Sequence, residues 1–415
     1  MKKMKCIAAA VMAAAMLSGC ALLPGNLTQE DTPLPAVSSA ASQAGKTACT
    51  AVTQRNDYQG LPSDQCRRMY DKLAECVQSI SGAKDENGYL IRTANLITAK
   101  LTDEETKRTV MAFLNDNPQI FWVSNQYTYS FTLTGTSIQL YSRVSSSERD
   151  TMKKKLNSTV SEILSGVSGR QAEMEREERI FTALADRCTY DKEASADSQQ
   201  KSWQPYTAYG ALVEGKAVCD GYARAMQLLC SGAGLQCRLV NGDSKGAAHI
   251  WNLICVNGKW YHFDATWMDS SIRNYDYFNV TDAIIKKDHT LSPVNGDASD
   301  CNFPLPTAQS TADNYYQKCA VQISALDSGT RKRIAQALVQ AAQEKKTVFA
   351  MHINEKVIFN QTVDKLFNGS PYFFQSCVQY ANTALPEGKR LSYPAMQYSI
   401  SAVQGGISIR LAYNG

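Results

Sequence analysis

The sequence predicts an α+β chain, and three features carry that prediction. Apolar residues recur at helical spacing over residues 63–77, 145–164, 171–187 and 330–345. Alternating stretches meet at close turns, Asn257-Gly258 and Gln404-Gly405-Gly406, which read as antiparallel hairpins. Between these, residues 208–269 join a cysteine at the head of a helix to a hairpin that holds one histidine and one aspartate. At 415 residues, 44% apolar and 20% charged, the chain has material for two or three folded units and is not of low complexity.

In chain order, Lys2, Lys3 and Lys5 precede an alanine-rich apolar run that Leu17-Ser18-Gly19-Cys20 closes. The run is too short to span a bilayer and reads as an export signal over residues 1–19. The tetrapeptide resembles the lipobox at which bacterial lipoproteins are cleaved and diacylated. Cys20 is therefore the expected lipidation site, and the expected location is extracytoplasmic, anchored to a bacterial membrane without spanning it. Losing the three lysines lowers the formal charge by three, from +4 to +1, which gives no reason to expect a nucleic-acid partner. Residues 20–60, rich in Ala, Ser, Thr, Gln and Pro without periodicity, are expected to be a flexible tether. Of thirteen cysteines, Cys6 lies in the signal and Cys20 at the anchor, which leaves eleven. The odd remainder in an exported protein points to one cysteine kept for chemistry and up to five disulfides.

An N-terminal α+β region is expected over 61–170. Ser63 can cap a helix with Cys66, Tyr70, Leu73 and Val77 on one face, and Thr102-Asp103-Glu104-Glu105 opens another that ends before Asn117-Pro118. Residues 120–123, 127–133 and 138–141 read as a small antiparallel sheet. Helices then cover 145–164 and 171–187, the second with Glu175 and Arg179 paired at i, i+4. Residues 310–415 read as a C-terminal α+β domain: a helix over 330–345, a strand over 348–353 and a final hairpin with alternating apolar residues on both sides of its turn.

The chemistry concentrates in 171–300. Small residues precede Cys219 and helix formers follow it, which puts the sulfur at a helix N-terminus, where the dipole favours thiolate. Free backbone N–H groups there point to where an oxyanion would form. With a two-residue turn at Asn257-Gly258, facing residues of the hairpin place Asp264 opposite Trp251 and diagonal to His249 on one face. The carboxylate can then hold one imidazole nitrogen while the other faces the thiol, the arrangement of nucleophile, base and orienting group that acyl transfer needs. His262 falls on the same face but farther from the open end, where it packs or bonds structurally. His289 and His352 lie outside the unit, with surface or core roles expected. No CxxC pair or close Cys/His ladder suggests a metal.

Cys219-Asp220-Gly221-Tyr222-Ala223, the run from Gly234 to Gly242, His249-Ile250-Trp251-Asn252 and the run from Trp260 to Trp267 look like successive motifs of the transglutaminase-like superfamily, in its bacterial extracytoplasmic branch. The resemblance covers residues 179–281. It implies a papain-like, transglutaminase-like α+β core, with Cys219 as nucleophile, His249 as general base and acid, Asp264 as the orienting group and no cofactor. The family commonly completes its oxyanion hole with a side chain upstream of the cysteine, for which Trp203, Tyr206 and Tyr209 are candidates. Trp251 and Trp267 flank the triad and, with Tyr209, are the expected substrate-binding residues.

The expected reaction is attack on a peptide or peptide-like amide through a thioester acyl-enzyme, with hydrolysis favoured over cross-linking. The expected partners are peptide or protein substrates, cell-wall peptide among them, and the membrane through Cys20. The alternative from another class is a surface protein that keeps the scaffold to bind peptide, glycan or cell-wall polymer.

Overall fold

A computed structural model describes residues 54–85, 88, 90–197, 202–294, 302–354, 358–369 and 372–414. The signal segment, Cys20 and the tether up to residue 53 lie outside the described residues. The last residues assigned to the tether belong to the folded body. The Gln54 side chain accepts from Cys237 N at 2.7 Å, Asn56 donates to Cys237 O at 2.9 Å, and Asp57 is buried.

The first half is built as local chemistry dictates. Ser63 caps the helix Asp64–Cys76, and Thr102 with Glu105, like Ser145 with Glu148, closes a reciprocal capping box at Asp103–Asp116 and at Ser146–Ser165. Two expectations change. Residues 120–123 and 127–133 are not two strands: one strand, Val123–Phe131, pairs with Gly135–Ser142 through a register shift. Three further strands, Ile80–Lys84, Ile91–Thr93 and Leu96–Ala99, complete a five-stranded sheet. They are short and largely exposed, so no apolar alternation announced them.

The central unit packs the helix Cys219–Gly232 against a four-stranded antiparallel sheet. The sheet order is Lys259–Phe263, Ala247–Val256, Gln236–Ser244 and His289–Leu291. The hairpin register is the expected one, from Lys259 opposite Val256 to Phe263 opposite Asn252. Asn257 and Gly258 both take positive φ, 51° and 72°, as a mirror-type turn requires. Asn252 Nδ2 donates to Ala223 O at 3.0 Å and ties the hairpin to the helix.

The first half and the central unit share one hydrophobic core. Tyr70, Phe113 and Trp122 belong to the same buried cluster as Phe181, Tyr222, Met226 and Phe263. A second core fills the C-terminal unit, where the helices Ser328–Gln343, Phe359–Phe367 and Phe373–Thr383 back a four-stranded sheet. Tyr316 links the two units, donating to Asp276 at 2.7 Å and lying 2.9 Å from Ser408 Oγ.

All nine cysteines among the described residues carry free thiols, so the expected disulfides do not form among them. Cys230 and Cys237 touch in the core, and burial together with that contact pushes the Cys230 thiol well up.

Candidate active site

Cys219 opens a helix of 14 residues whose N-cap, Val218, supplies no side-chain bond, so the first-turn N–H groups carry no side-chain cap. Val218 N instead donates to Pro205 O at 3.0 Å and anchors the preceding loop. Gly221 permits that packing: a Cβ there would stand 2.4 Å from Pro205 O and 2.8 Å from the Ala217 Cβ. The Cys219 sulfur is free and half-buried.

The hairpin delivers the other two groups. His249 Nε2 and Asp264 Oδ2 stand 2.6 Å apart, with their side chains 8% and 1% exposed. Asp264 Oδ1 accepts from Trp267 N at 3.1 Å, so the same carboxylate caps the short helix Ala265–Met268. With Nε2 committed to Asp264, the other ring nitrogen of His249 is left open toward Cys219. Burial alone would lower the His249 pKa, but the Asp264 carboxylate, and then Cys219, raise it to about 10. Burial alone would raise Asp264; the charge and hydrogen bonds of His249 and His289 instead hold it down, to about 2. His249 and Asp264 are therefore paired directly, and Cys219 lies close enough to the ring to raise its pKa.

His289 corrects the sequence reading. It does not lie outside the unit: it is buried, and its Nε2 lies 3.1 Å from Asp264 Oδ2, the atom that also meets His249. Its Nδ1 meets Asp288 Oδ1 at 2.8 Å, and Tyr277 donates to the other Asp288 oxygen. The residue starts the edge strand that pairs with Gln236–Ser244. Gly242 lets that edge close in, because a Cβ there would lie 2.1 Å from Thr290 O and 2.8 Å from the Trp251 ring. The sequence held one hint, the adjacent Asp288-His289 pair. It gave no sign that this pair returns to the same sheet.

His262 takes the structural role expected of it. It is fully buried, accepts at Nδ1 from Trp251 Nε1 at 2.9 Å and meets Asp282 with Nε2 at 2.9 Å. His352, in the C-terminal unit, bonds Gln322 Oε1 and Gln404 O.

Two of the expected substrate-binding residues prove to be core. Tyr209 is 2% exposed and stacks on Phe121 at 4.9 Å. Trp251 is 1% exposed, stacked against His249 at 5.9 Å with its N–H spent on His262, and Val240, Leu253 and Val280 pack around it. Trp267 remains at the edge, half-buried, with its ring 6.4 Å from that of His249 and Lys245 Nζ 3.8 Å over its face. Trp203 and Tyr206, the other upstream aromatics, are both partly exposed.

His249, Asp264 and His289 are also residue types that ligate metals, with donor atoms within 4.8 Å of one another. The geometry is that of a proton network, however. Two ligands of one tetrahedral zinc stand about 3.3 Å apart, given metal–ligand bonds of about 2.0–2.1 Å. The 2.6 Å between His249 and Asp264 is that of a direct, charge-assisted hydrogen bond.

Residues 159–265 match the family model for the transglutaminase-like superfamily. Kyphoscoliosis peptidase of Mus musculus is 30% identical over 166 residues, which cover 35% of this chain and 24% of that protein. The Homo sapiens protein of the same name is 31% identical over 129 residues, 28% of this chain and 19% of that protein. The chain thus spans about a quarter or less of the length of these curated relatives. A crystal structure of a TGase aligns with a TM-score of 0.26 and 14% identity, over 49% of this chain and 59% of that one. The family match begins earlier than the motifs alone indicated and takes in all three residues of the site. The chain carries a transglutaminase-like domain over residues 159–265, and Cys219, His249 and Asp264 lie within it.

Proposed function

We propose that the chain is a cysteine-nucleophile enzyme that acts on peptide or peptide-like amide bonds. The observation that carries this reading is the convergence of a free sulfur at a helix head, an imidazole and a buried carboxylate. Cys219 sulfur attacks the amide carbonyl, and the oxyanion that develops meets the N–H groups of the first helical turn. His249 passes a proton to the departing amine, the carbon–nitrogen bond breaks, and a thioester remains on Cys219. Water, deprotonated by His249, then releases the acid; a primary amine in its place would form a new amide. Hydrolysis is the favoured outcome, which the peptidase names of the two relatives support. The leader and Cys20 add a second element to the reading, a lipid-anchored location outside the cytoplasm.

The test is mass spectrometry of a peptide library incubated with the protein, with and without an added primary amine. Cleavage, glutamine deamidation and amine incorporation leave different masses, and each should vanish in Cys219→Ala. If Cys219→Ala matches the wild type in all three, the enzyme reading fails. The anchored location is checked by the mass of the mature N-terminus, which should carry acyl chains on Cys20.

A further inference from the structure

A cavity of about 100 Å³ opens beside the head of the Cys219 helix. One wall comes from the site itself, with Asp220 and Arg224 from the helix and Trp203 from the loop before it; the other comes from the first half of the chain, through Phe121, Asn125 and Arg143. The cavity therefore adjoins the residue that follows the nucleophile.

Its two guanidinium groups differ. Arg224 is neutralised, with Nε 2.8 Å from Asp220 Oδ1 and Nη1 3.0 Å from Leu114 O. Arg143 has no carboxylate partner among the described residues. Its Nη2 donates to the neutral Asn125 Oδ1 at 3.2 Å, and its Cζ lies 5.8 Å from the Trp203 ring centre. A guanidinium has five N–H donors in a planar fork, so a single bond to an amide leaves most of them unused. Arg143 is half-buried, and burial pushes its pKa down to about 10, which leaves it cationic at neutral pH and partly withdrawn from water. A partly desolvated charge without a counter-ion gains from an entering anion. The fork fits a carboxylate with two parallel bonds, while Phe121 and Trp203 suit the apolar stem that would carry it.

We infer that this cavity is a recognition subsite for a carboxylate carried by the peptide substrate, held by Arg143 close to the amide that Cys219 attacks. The inference rests on the enzyme reading above and narrows its substrate class. The carboxylate can belong to an acidic side chain or to a chain end.

Retention of peptides by the full chain carrying Cys219→Ala tests the subsite without turnover. Matched peptides differing by Glu or Gln are presented with free and with amidated C-termini, and the bound fraction is read by mass spectrometry. The expected result is about tenfold preference for a carboxylate form, the size of one charge-assisted hydrogen bond. The preference should fall to near one when Arg143→Gln is added and persist in part with Arg143→Lys. The arm that loses retention on neutralisation identifies the source of the carboxylate. No preference in the Arg143-containing protein, a measurement that needs no second variant, would overturn the inference. So would a preference that survives Arg143→Gln in a protein with an unchanged melting temperature. Library turnover without carboxylate preference leaves the enzyme reading standing and this inference fallen; carboxylate preference without Cys219-dependent turnover overturns the enzyme reading and, with it, the assignment of the cavity to a substrate.

Discussion

The hairpin presents two imidazoles on one face, each met by a carboxylate, His249 by Asp264 at 2.6 Å and His262 by Asp282 of the helix Asp282–Ile285 at 2.9 Å, and the indole of Trp251 lies between the rings. By residue type the pairs are equivalent. They differ in where the second ring nitrogen goes and in how the carboxylate is kept. At His262 the indole N–H occupies Nδ1, which fixes that nitrogen as an acceptor, and burial pushes the pKa below its ordinary value despite Asp282. At His249 the second nitrogen is left to Cys219, and the partner carboxylate is almost wholly buried and held by His289 and Trp267 N. An imidazole–carboxylate pair thus becomes a candidate for chemistry only when its far nitrogen meets something that can react.

The largest effect expected from this contrast is on turnover. His249→Gln should lower the rate of library turnover by about 10³-fold or more, as loss of a general base does in nucleophilic triads. His262→Gln should leave that rate within about threefold. Equal losses in the two variants would break the comparison. Next comes Asp264→Asn, which keeps the shape but removes the charge that orients His249. It should cost about 10³-fold in rate and about 3 kcal/mol of stability, read by turnover and by denaturant unfolding.

The pairs should also respond to pH with opposite sign. The folded-state pKa of His249 is raised, so its stabilising contribution is complete below the unfolded value near 6.5 and is lost as pH climbs toward about 10. The folded-state pKa of His262 is lowered, so the unfolded chain takes up its proton first, and stability from this residue is lost as pH falls below about 6.5. Melting temperatures across pH 5–10 should show a flattened alkaline limb in His249→Gln and a flattened acid limb in His262→Gln. A smaller loss of turnover than at His249 or Asp264 is expected at His289→Gln, which removes one of the contacts that hold Asp264. The expected loss in turnover is about tenfold, the worth of one charge-assisted bond, with the pH profile displaced because Asp264 then orients His249 alone.

Much of this site was legible before any coordinates. Asn257-Gly258 fixes the hairpin register, and with it the diagonal from His249 to Asp264, because a two-residue mirror-type turn leaves no freedom to slip. The small residues before Cys219 and the helix formers after it mark the helix head. His289 escaped because its strand is three residues long and joins the sheet at an edge, after a loop whose path no local pattern sets. Arg143 escaped for the same reason: it follows a strand and reaches the site only through packing between separate halves of the chain. The burial of Tyr209 and Trp251 depends likewise on what covers them, Phe121 in one case and the Val240–Val280 cluster in the other. Helix starts were the easiest part, since Ser63 and Thr102 declare them chemically.

The shared core has a practical consequence for anyone who would shorten this protein. A fragment trimmed to residues 159–265 would contain Cys219, His249 and Asp264, yet it would leave behind His289, Arg143 and the aromatic side chains of Tyr70, Phe113 and Trp122. Such an excised piece would present raw apolar surface to solvent and lose the clamp on its carboxylate. The smallest useful expression unit is therefore set by the packing around the matched segment.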